Sequence, residues 1–212
     1  MKVFFDIDGV LINGWHAKPE RRRPWDATIA KDLGIDGAIV RQLLFETRTS
    51  APPAYHACAI GRRDLKEALA EILPSAGYTG SVDAYLRYWF EHDAVLNDPV
   101  LDVVRRLGRH AGVELHIATI QEHHRAAFLW NDVGLRNHFR DIWYSARVGH
   151  LKYAPEFFAT VNAALGIVPG ERPLFFDDTE EIVAVACAAG WDAHVFDSVA
   201  DLHHHPRLEH LL

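Results

Sequence analysis

Three short segments of the chain are rich in apolar residues, and each stops at a polar residue. Residues 3–5 and 174–176 are continuous apolar runs, whereas residues 113–118 alternate apolar side chains with Glu114 and His116. Continuous runs of this length are typical of strands buried on both faces, and such strands form parallel sheets between layers of helices. The pattern therefore predicts three strands of an α/β sheet.

Signals that begin and end helices lie between these segments. Asp98 followed by Pro99 is a typical helix start, as is Pro155, and Thr179 can cap a helix that closes at Gly190. Together with apolar residues at helical spacing, these signals predict helices over residues 100–107, 156–165 and 179–189, and a last strand over residues 193–196. Strands that alternate with helices predict an α/β fold with a doubly wound, Rossmann-like parallel-sheet core.

The stretch from residue 14 to residue 95 has a different pattern, because it contains no convincing strand. Apolar residues recur at helical spacing near residues 25–33, 37–47, 62–73 and 82–92, and turn-like stretches separate these patterns. We therefore predict an α-helical cap domain over residues 14–95. It is inserted into an α/β core domain made of residues 1–13 and 96–212.

Composition narrows the class of protein. The 212 residues are 49% hydrophobic and 24% charged, as in ordinary globular domains, and 29 acidic against 22 basic residues give a formal charge of −7. Nucleic-acid-binding proteins usually carry the opposite sign, so we expect no nucleic-acid partner. Cys58 and Cys187 show no metal or redox spacing, and no apolar stretch is long enough to span a membrane. We expect a cytoplasmic monomer or homodimer.

The first chemical motif is Asp6-Ile7-Asp8-Gly9, which directly follows the first predicted strand. Ligands of open α/β sheets bind at this edge, and a glycine lets the backbone turn sharply there. One carboxylate can attack a phosphorus atom, while the other gives a proton to the leaving oxygen and then takes one from water. The alternative is that the two acids only cap a turn at the end of a strand.

A second acidic pair, Asp177-Asp178, follows the strand predicted over residues 174–176. Adjacent carboxylates at a strand end repel each other unless a cation neutralises them. Ligands that are all oxygen atoms favour Mg²⁺, which also screens the charge of a phosphate group. The pair therefore predicts a magnesium site, unless it only caps the helix that begins at Thr179.

Two isolated polar residues occupy similar positions. Thr119 follows the strand predicted over residues 113–118, where its hydroxyl can donate to a phosphoryl oxygen, although a threonine there is usually an N-cap. Lys152 precedes the helix predicted over residues 156–165, where an ammonium group can neutralise a phosphate and an attacking carboxylate. Most lysines in such positions are solvated. Thr119 and Lys152 therefore indicate a phosphate site only in combination with the two acidic pairs.

Taken in chain order, these sites resemble the four motifs of the haloacid dehalogenase (HAD) superfamily. Asp-x-Asp-Gly-Val at residues 6–10 is followed by a threonine after a strand, a lysine before a helix and an Asp-Asp pair after a strand. The resemblance spans residues 1–13 and 96–212, and the helical insert between the first two motifs is similar to the type 1 cap of one subclass. It implies a Mg²⁺-dependent phosphatase that acts on a small phosphate monoester.

The resemblance also implies the catalytic roles. By position, Asp6 matches the nucleophile that becomes phosphorylated, and Asp8 matches the general acid and base. Thr119 and Lys152 match the pair that holds the phosphate. The expected reaction has two steps, in which an aspartyl phosphate forms on Asp6 and is then hydrolysed by water that Asp8 activates.

For the metal, the resemblance implies the Asp6 carboxylate, the backbone carbonyl of Asp8 and the second acidic pair. Of that pair, Asp178 is the stronger candidate for the direct ligand and Asp177 the weaker one. Glu181 lies four residues past Asp177, where some relatives place their second acid, and it is a reserve candidate.

Several alternatives stay open. Dehalogenases of the superfamily attack carbon and lack the second acid of the first motif, so Asp8 argues against that activity. A phosphosugar mutase keeps all four motifs, and a non-catalytic scaffold that binds metal or phosphate can keep them too. Ile120, Tyr153 and Ile182 depart from the commonest residues of the family, Asn, Pro and Asn, which bears on the subfamily more than on the chemistry. Phospho-signalling receiver modules use similar residues in another order and lack the helical insert.

The predicted cap holds the candidates for substrate recognition. Trp15 and His16 follow the first motif closely and must pass the mouth of the site, so we predict that they bind substrate. Other residues that can face the site are Arg21, Arg22, Arg23, Trp25, Arg48, Tyr55 and His56. Aromatic residues at helical spacing are instead predicted to pack the interior of the cap, namely Tyr85, Tyr88, Trp89 and Phe90. By resemblance, sugar phosphates are the favoured substrates and nucleotides the second choice.

The chain is also rich in histidine near its end. His203, His204 and His205 are adjacent in sequence. Adjacent residues on a helix point in different directions, whereas metal-ligand pairs on a helix favour a spacing of four residues. The run therefore predicts no functional metal site, although it can bind nickel or zinc adventitiously.

Overall fold

The structure is a computed structural model that describes residues 1–46 and 52–212. Its central feature is a parallel sheet with the strand order β3-β2-β1-β4-β5. The strands are β1 (Lys2–Phe5), β2 (Glu114–Thr119), β3 (Asp141–Tyr144), β4 (Leu174–Asp177) and β5 (Asp192–Val195). The chain starts in the middle strand and builds the sheet outward in both directions. The predicted doubly wound α/β fold is thereby confirmed.

Helices separate the strands and follow the last one. They are α1 (Ile29–Leu33), α2 (Gly37–Phe45), α3 (Ala54–Ala59), α4 (Leu65–Ile72), α5 (Val82–Asp93), α6 (Asp98–Leu107), α7 (His123–Asn131), α8 (Ser145–Val148), α9 (Pro155–Leu165), α10 (Glu180–Ala188) and α11 (Val199–His203). Short 3₁₀ turns lie at Pro19–Arg21, Leu73–Ala76, Leu135–Asn137 and Glu209–Leu211. Among the described residues, none of these helices combines the length and hydropathy that a bilayer span requires.

Both faces of the sheet are covered, which explains why the central strands are apolar runs. Successive side chains of a strand point to opposite faces. Val3 and Phe5 therefore pack with α6, α7 and α11 on one face. Phe4 packs with α9 and α10 on the other.

Three details of the sheet differ from the prediction. Strand β3 was not predicted, because only Ile142 and Trp143 of its four residues are buried, and the strand lies at an edge of the sheet. Thr119 is the last residue of β2 and does not follow the strand. Strand β5 runs over Asp192–Val195, so Phe196 lies beyond it.

Helices α1 to α5 occupy the stretch that was predicted to be helical throughout, and they share a hydrophobic cluster of their own. Two of them are shorter than predicted: α1 lacks residues 25–28, and α4 begins only after Asp64, whose side chain caps it. Helix α3 was not predicted. Helix α2 ends at Phe45, and the predicted extension to Thr47 and the candidate Arg48 lie outside the described residues.

The chain crosses between the sheet and these helices at two neighbouring points. The backbone N–H of Asn13 donates to Val95 O at 2.7 Å, and the N–H of Asn97 donates to Leu11 O at 2.9 Å. Residues 12 and 96 form an antiparallel bridge between the two crossings. These contacts lie where the sequence places the cap boundaries, and the division into two domains stays a prediction.

Candidate active site

The carboxyl ends of the three central strands bring separate parts of the sequence together. Asp6 follows β1 directly, and its backbone N–H donates to Phe176 O at 2.9 Å, which extends the pairing with β4 by one residue. Thr119 ends β2 and Asp177 ends β4. Because parallel strands end at the same edge, these three polar side chains converge there.

A tight turn after β1 shapes one side of the site. Ile7 O accepts hydrogen bonds from the backbone N–H groups of residues 10–12, at 2.8 to 3.2 Å. Gly9 has a φ of 82°, and a Cβ atom at that position would lie 2.1 Å from Asp178 Oδ2. Any other residue would therefore be strained and would collide with the carboxylate. The glycine allows the backbone next to Asp8 to approach Asp178 closely.

Lys152 lies between Asp6 and Asp177 and is 1% exposed. Its Nζ atom lies 2.8 Å from Asp6 Oδ1 and 2.6 Å from Asp177 Oδ2, and it donates to Ala118 O at 3.2 Å. Burial by itself lowers the pKa of Lys152, but Asp177 and Asp6 outweigh burial and raise it overall. The lysine is therefore a fixed positive charge between the two acids.

Asp6, Asp177 and Asp178 form a buried carboxylate group, in which one oxygen atom from each residue lies within 4.8 Å of the other two. Burial raises the pKa of Asp6 well above its usual range, as do the charges of Asp177 and Asp178, whereas Lys152 lowers it. Burial also raises the pKa of Asp178. Three carboxylates against one ammonium group leave two negative charges uncompensated. One divalent cation would neutralise them, and three oxygen donors suit Mg²⁺, so the residues fit the predicted metal.

Asp8 is held by residues that the sequence analysis missed. Its carboxylate accepts hydrogen bonds from Gln121 Nε2 and from an Arg125 guanidinium nitrogen, the latter at 3.0 Å. A second guanidinium nitrogen lies 2.7 Å from Asp93 Oδ2, at the end of α5. Gln121 and Arg125 follow Thr119 in the loop and first turn after β2. Polar residues just after a strand end could have indicated a contribution to the site. The sequence around Asp93 contains no such indication.

Arg125 and Asp93 are buried, whereas Asp8 is partly exposed. Burial lowers the pKa of Arg125, but the carboxylates of Asp8 and Asp93 outweigh that effect and raise it overall. Burial raises the pKa of Asp93 to about 6, although Arg125 acts in the opposite direction. Arg125 therefore stays charged and links the acid beside the nucleophile to the last helix of the inserted segment.

Thr119 is fully buried, and its Oγ1 atom has no hydrogen-bond partner within residues 1–46 and 52–212. A buried hydroxyl without a partner has a cost in free energy, so such a group usually serves a ligand or a water molecule. Its position at the end of β2, beside Ala118, whose carbonyl accepts from Lys152, is consistent with a donor directed into the site.

The two predicted substrate-binding residues lie in different surroundings. His16 is 8% exposed, and its Nδ1 atom lies 3.1 Å from Asp178 Oδ2, which also accepts a 2.7 Å hydrogen bond from the backbone N–H of Ala17. Trp15 is 45% exposed, with the Arg22 guanidinium 4.9 Å from its ring centre. The structure thus brings His16 to the carboxylate group and leaves Trp15 at the surface.

Other candidates lie away from the three carboxylates. Glu181 is exposed on α10 and is not part of the carboxylate group. Arg21 pairs with Asp197 at 3.0 Å. Trp25 stacks on Trp89 with ring centres 5.2 Å apart, inside the cluster of α1 to α5. Tyr85, Trp89 and Phe90 are buried in that cluster and Tyr88 packs against it, as the helical spacing predicted.

Known proteins share the sequence pattern and the fold of this chain. A family model described as haloacid dehalogenase-like hydrolase matches residues 3–190 of the chain. No curated protein sequence matches the chain significantly.

Several solved structures share the fold. A HAD family enzyme from Bacteroides thetaiotaomicron, in complex with magnesium and inorganic phosphate, has a TM-score of 0.71 at 17% identity, covering 92% of this chain and 93% of that one. A protein from Porphyromonas gingivalis described as a predicted HAD-like family hydrolase has a TM-score of 0.66 at 19% identity, covering 92% and 90%. L-2-haloacid dehalogenase from Xanthobacter autotrophicus has a TM-score of 0.60 at 18% identity, covering 94% and 79%.

Proposed function

Because the chain belongs to the haloacid dehalogenase-like hydrolases, we propose that it is a Mg²⁺-dependent phosphatase that hydrolyses a small phosphate monoester. The observation that carries this proposal is the pair of contacts from Lys152 to Asp6 and Asp177, beside Asp178. This buried arrangement presents a nucleophile, a cation that binds phosphate and an uncompensated charge that fits a divalent ion. A structural neighbour binds magnesium and inorganic phosphate, which supports the same chemistry.

The metal would be held by the carboxylates of Asp6 and Asp178 and by the backbone carbonyl of Asp8. Asp177 is the weaker candidate, because Lys152 Nζ lies 2.6 Å from its Oδ2 atom and repels a second cation there. The close approach of Gly9 to Asp178 brings the Asp8 backbone to the same side. When bound, Mg²⁺ screens the charge of the phosphate and supports attack on phosphorus.

Asp6 is the proposed nucleophile. Its carboxylate attacks the phosphorus atom in line with the leaving oxygen, the bond to that oxygen breaks, and an aspartyl phosphate forms. Attack requires an ionised carboxylate, whereas burial and neighbouring acids raise the pKa of Asp6. The positive charge of Lys152 opposes this rise in pKa. A cation that neutralises the charges of Asp177 and Asp178 would also lower the pKa of Asp6, because those charges contribute to the rise. Nucleophilicity therefore depends on the charges around Asp6.

Asp8 is the proposed general acid and base. It protonates the leaving alkoxide in the first step and takes a proton from the attacking water in the second. Arg125 and Gln121 fix the orientation of its carboxylate. A halide leaves without a proton, so a well-oriented second acid favours phosphate esters over haloacids. This distinguishes the proposed activity from that of the structurally similar dehalogenase.

Thr119 and Lys152 are proposed to hold the oxygen atoms of the phosphoryl group. Lys152 supplies a fixed ammonium group, and Thr119 supplies a buried hydroxyl that lacks another partner among the described residues. Donors that are already in place stabilise the charge that develops in the transition state without further reorganisation. Both residues serve both steps, because both steps pass through the same phosphoryl group.

For the substrate, sugar phosphates are favoured and nucleotides come second, on the resemblance alone. His16 and Trp15 remain the proposed contacts from the segment after the first motif. His16 adjoins Asp178, which supports a place next to the phosphoryl group. Trp15 is exposed beside Arg22, which supports a contact only with a part of the substrate that extends from the site.

The test is phosphate release from p-nitrophenyl phosphate, measured with Mg²⁺ and with EDTA. We expect release that depends on Mg²⁺ and that is lost in Asp6→Asn, an isosteric change that leaves the fold intact. Asp102→Asn, which removes an exposed acid on α6, is the matched control and should keep full activity. Release that persists in EDTA, or that Asp6→Asn retains, would contradict the proposal.

A further inference from the structure

A second group of metal-ligating side chains lies on the outer strand β5 and near the end of the chain. The Asp192 and His194 side chains are one strand repeat apart, so they project from the same face of β5. His205 follows α11 and is buried against the ring of Phe176. One ligand atom from each of Asp192, His194 and His205 lies within 4.8 Å of the other two.

The hydrogen atoms of this group cannot satisfy all of its short contacts while both rings are neutral. The backbone N–H of Arg207 donates to His205 Nδ1 at 3.2 Å, which places the ring proton on Nε2. That Nε2 then donates to His194 Nε2 at 3.1 Å. Because His194 Nε2 accepts this hydrogen bond with its lone pair, it carries no proton. It therefore cannot donate to Asp192 Oδ1, which lies 3.2 Å away. Two electron-rich atoms therefore face each other.

A cation at the centre would resolve this conflict, because both nitrogen atoms and the carboxylate oxygen would become ligands. In tetrahedral zinc sites, metal–ligand bonds of about 2.0–2.2 Å place neighbouring ligand atoms roughly 3.3–3.5 Å apart. The separations of 3.1 and 3.2 Å are close to this. Two imidazoles with one carboxylate favour zinc and similar transition metals over Mg²⁺.

The residues around Asp192 also hold its carboxylate in an orientation that suits a metal ligand. Arg207 binds Asp192 Oδ2 at 2.7 Å and so orients the carboxylate, with Oδ1 directed to His194. Hydrogen bonds that orient a ligand in this way are typical of metal sites. Arg172 approaches Oδ1 only at 3.5 Å from an exposed position. Metal binding would require His205 Nδ1 to carry the proton, so the hydrogen bond from the Arg207 backbone would be given up.

We propose that Asp192, His194 and His205 form a second metal site, which takes a divalent transition metal of the zinc class with water as the remaining ligand. The site is separate from the group around Asp6 and takes a different class of ion. A bound metal would fasten the segment after α11 to the edge strand β5. It would stabilise the fold in proportion to its affinity, because the unfolded chain does not assemble the three ligands.

The test is calorimetric titration of the full chain with Zn²⁺ in excess Mg²⁺, together with Co²⁺ spectra that report tetrahedral nitrogen and oxygen ligation. We expect one zinc ion per chain at this site and a rise in Tm on zinc addition. His194→Gln and His205→Gln should each weaken binding by at least about 100-fold, since a direct ligand matters more than an orienting group. Both variants should also lose the rise in Tm.

His203→Gln and His204→Gln are matched controls, because these neighbours in the histidine run are exposed. They should leave zinc affinity unchanged. Circular dichroism establishes that each variant folds. Binding that is insensitive to His194→Gln and His205→Gln, or that falls only in the control variants, would overturn the proposal, as would the absence of zinc binding to the wild type. None of these results depends on phosphatase activity, so they test this site independently of the first.

Discussion

Arg125 offers a test of how the site is held together. It is 2% exposed and contacts two acids, Asp8 Oδ1 at 3.0 Å and Asp93 Oδ2 at 2.7 Å. Arg125→Met keeps much of the side-chain volume beside Phe90 but removes the charge. Both carboxylates would then lose their cation, and that of Asp93 is buried. We therefore expect a large loss of stability from a residue that lies outside the four motifs.

The magnitude follows from the burial of these groups. Removing one partner of a buried ion pair costs about 3–5 kcal/mol, because the remaining charge is left uncompensated. For a chain of this length, each kcal/mol lowers Tm by about 2–4 °C, so Arg125→Met should lower Tm by roughly 6–20 °C. Asp93→Asn should behave oppositely. Burial disfavours the ionised form of the Asp93 carboxyl group, and this variant removes that group. Arg125 stays paired with Asp8. Its free energy of unfolding should stay unchanged or rise.

A double-mutant cycle in urea separates charge compensation from lost packing. The free energy of unfolding is measured for the wild type, for Arg125→Met, for Asp93→Asn and for the double variant. Arg125→Met should lower the free energy of unfolding by less in the Asp93→Asn background, because only one carboxylate then loses its cation. Arg105→Met, which breaks an exposed pair with Asp102, is the control and should cost under about 1 kcal/mol. Equal costs of Arg125→Met in both backgrounds would refute the reasoning.

Three further predictions concern the acids of the site. Asp8→Asn should slow hydrolysis of alkyl phosphates roughly 10²–10⁴-fold but that of p-nitrophenyl phosphate less, because nitrophenolate leaves without a proton; equal losses would exclude acid catalysis. Asp178→Asn should raise the Mg²⁺ concentration for half-maximal activity, whereas Glu181→Gln should not, and the reverse would make Glu181 the ligand. The pKa of Asp93 is raised to about 6 from 3.8, so its contribution to stability is present below pH 4 and is lost as pH rises through 6. Relative to the wild type, Asp93→Asn should therefore gain up to about 3 kcal/mol between pH 4 and 7.5 in urea melts, and a flat difference would contradict the shift.

The sequence predicted the centre of the sheet because its strands are covered on both faces. Residues 3–5 and 174–176 are continuous apolar runs, and the acids that end them mark the edge where the site forms. Edge strand β3 escaped prediction, because only part of it is buried and its apolar run is short. Helix α3 escaped for a similar reason, since turn residues precede it and only Cys58 and Ala59 are buried.

The site was predictable to the extent that its residues lie directly at strand ends. Asp6, Asp177 and Asp178 follow from that rule, and the structure places them together. Arg125 and Asp93 could not be paired from the sequence, because α5 and α7 are far apart in the chain and meet only in the fold, where Phe90 also contacts Phe128. The grouping of His205 with His194 was missed for the same reason. The adjacent histidines in the sequence do not indicate which of them meets strand β5. The turn after α11 brings His205 back to His194 on that strand.

The central claim, that Asp6 becomes phosphorylated, is tested most directly by trapping the covalent intermediate. The wild type and Asp8→Asn are mixed with p-nitrophenyl phosphate and Mg²⁺, quenched in acid, digested with pepsin at low pH and analysed by mass spectrometry. Nitrophenolate needs little protonation to leave, whereas water needs Asp8 as a base, so Asp8→Asn should accumulate a phosphoryl group on the peptide that contains Asp6. Phosphate release by the wild type with no phosphorylated peptide in either protein, or with the phosphoryl group on another residue, would contradict the account.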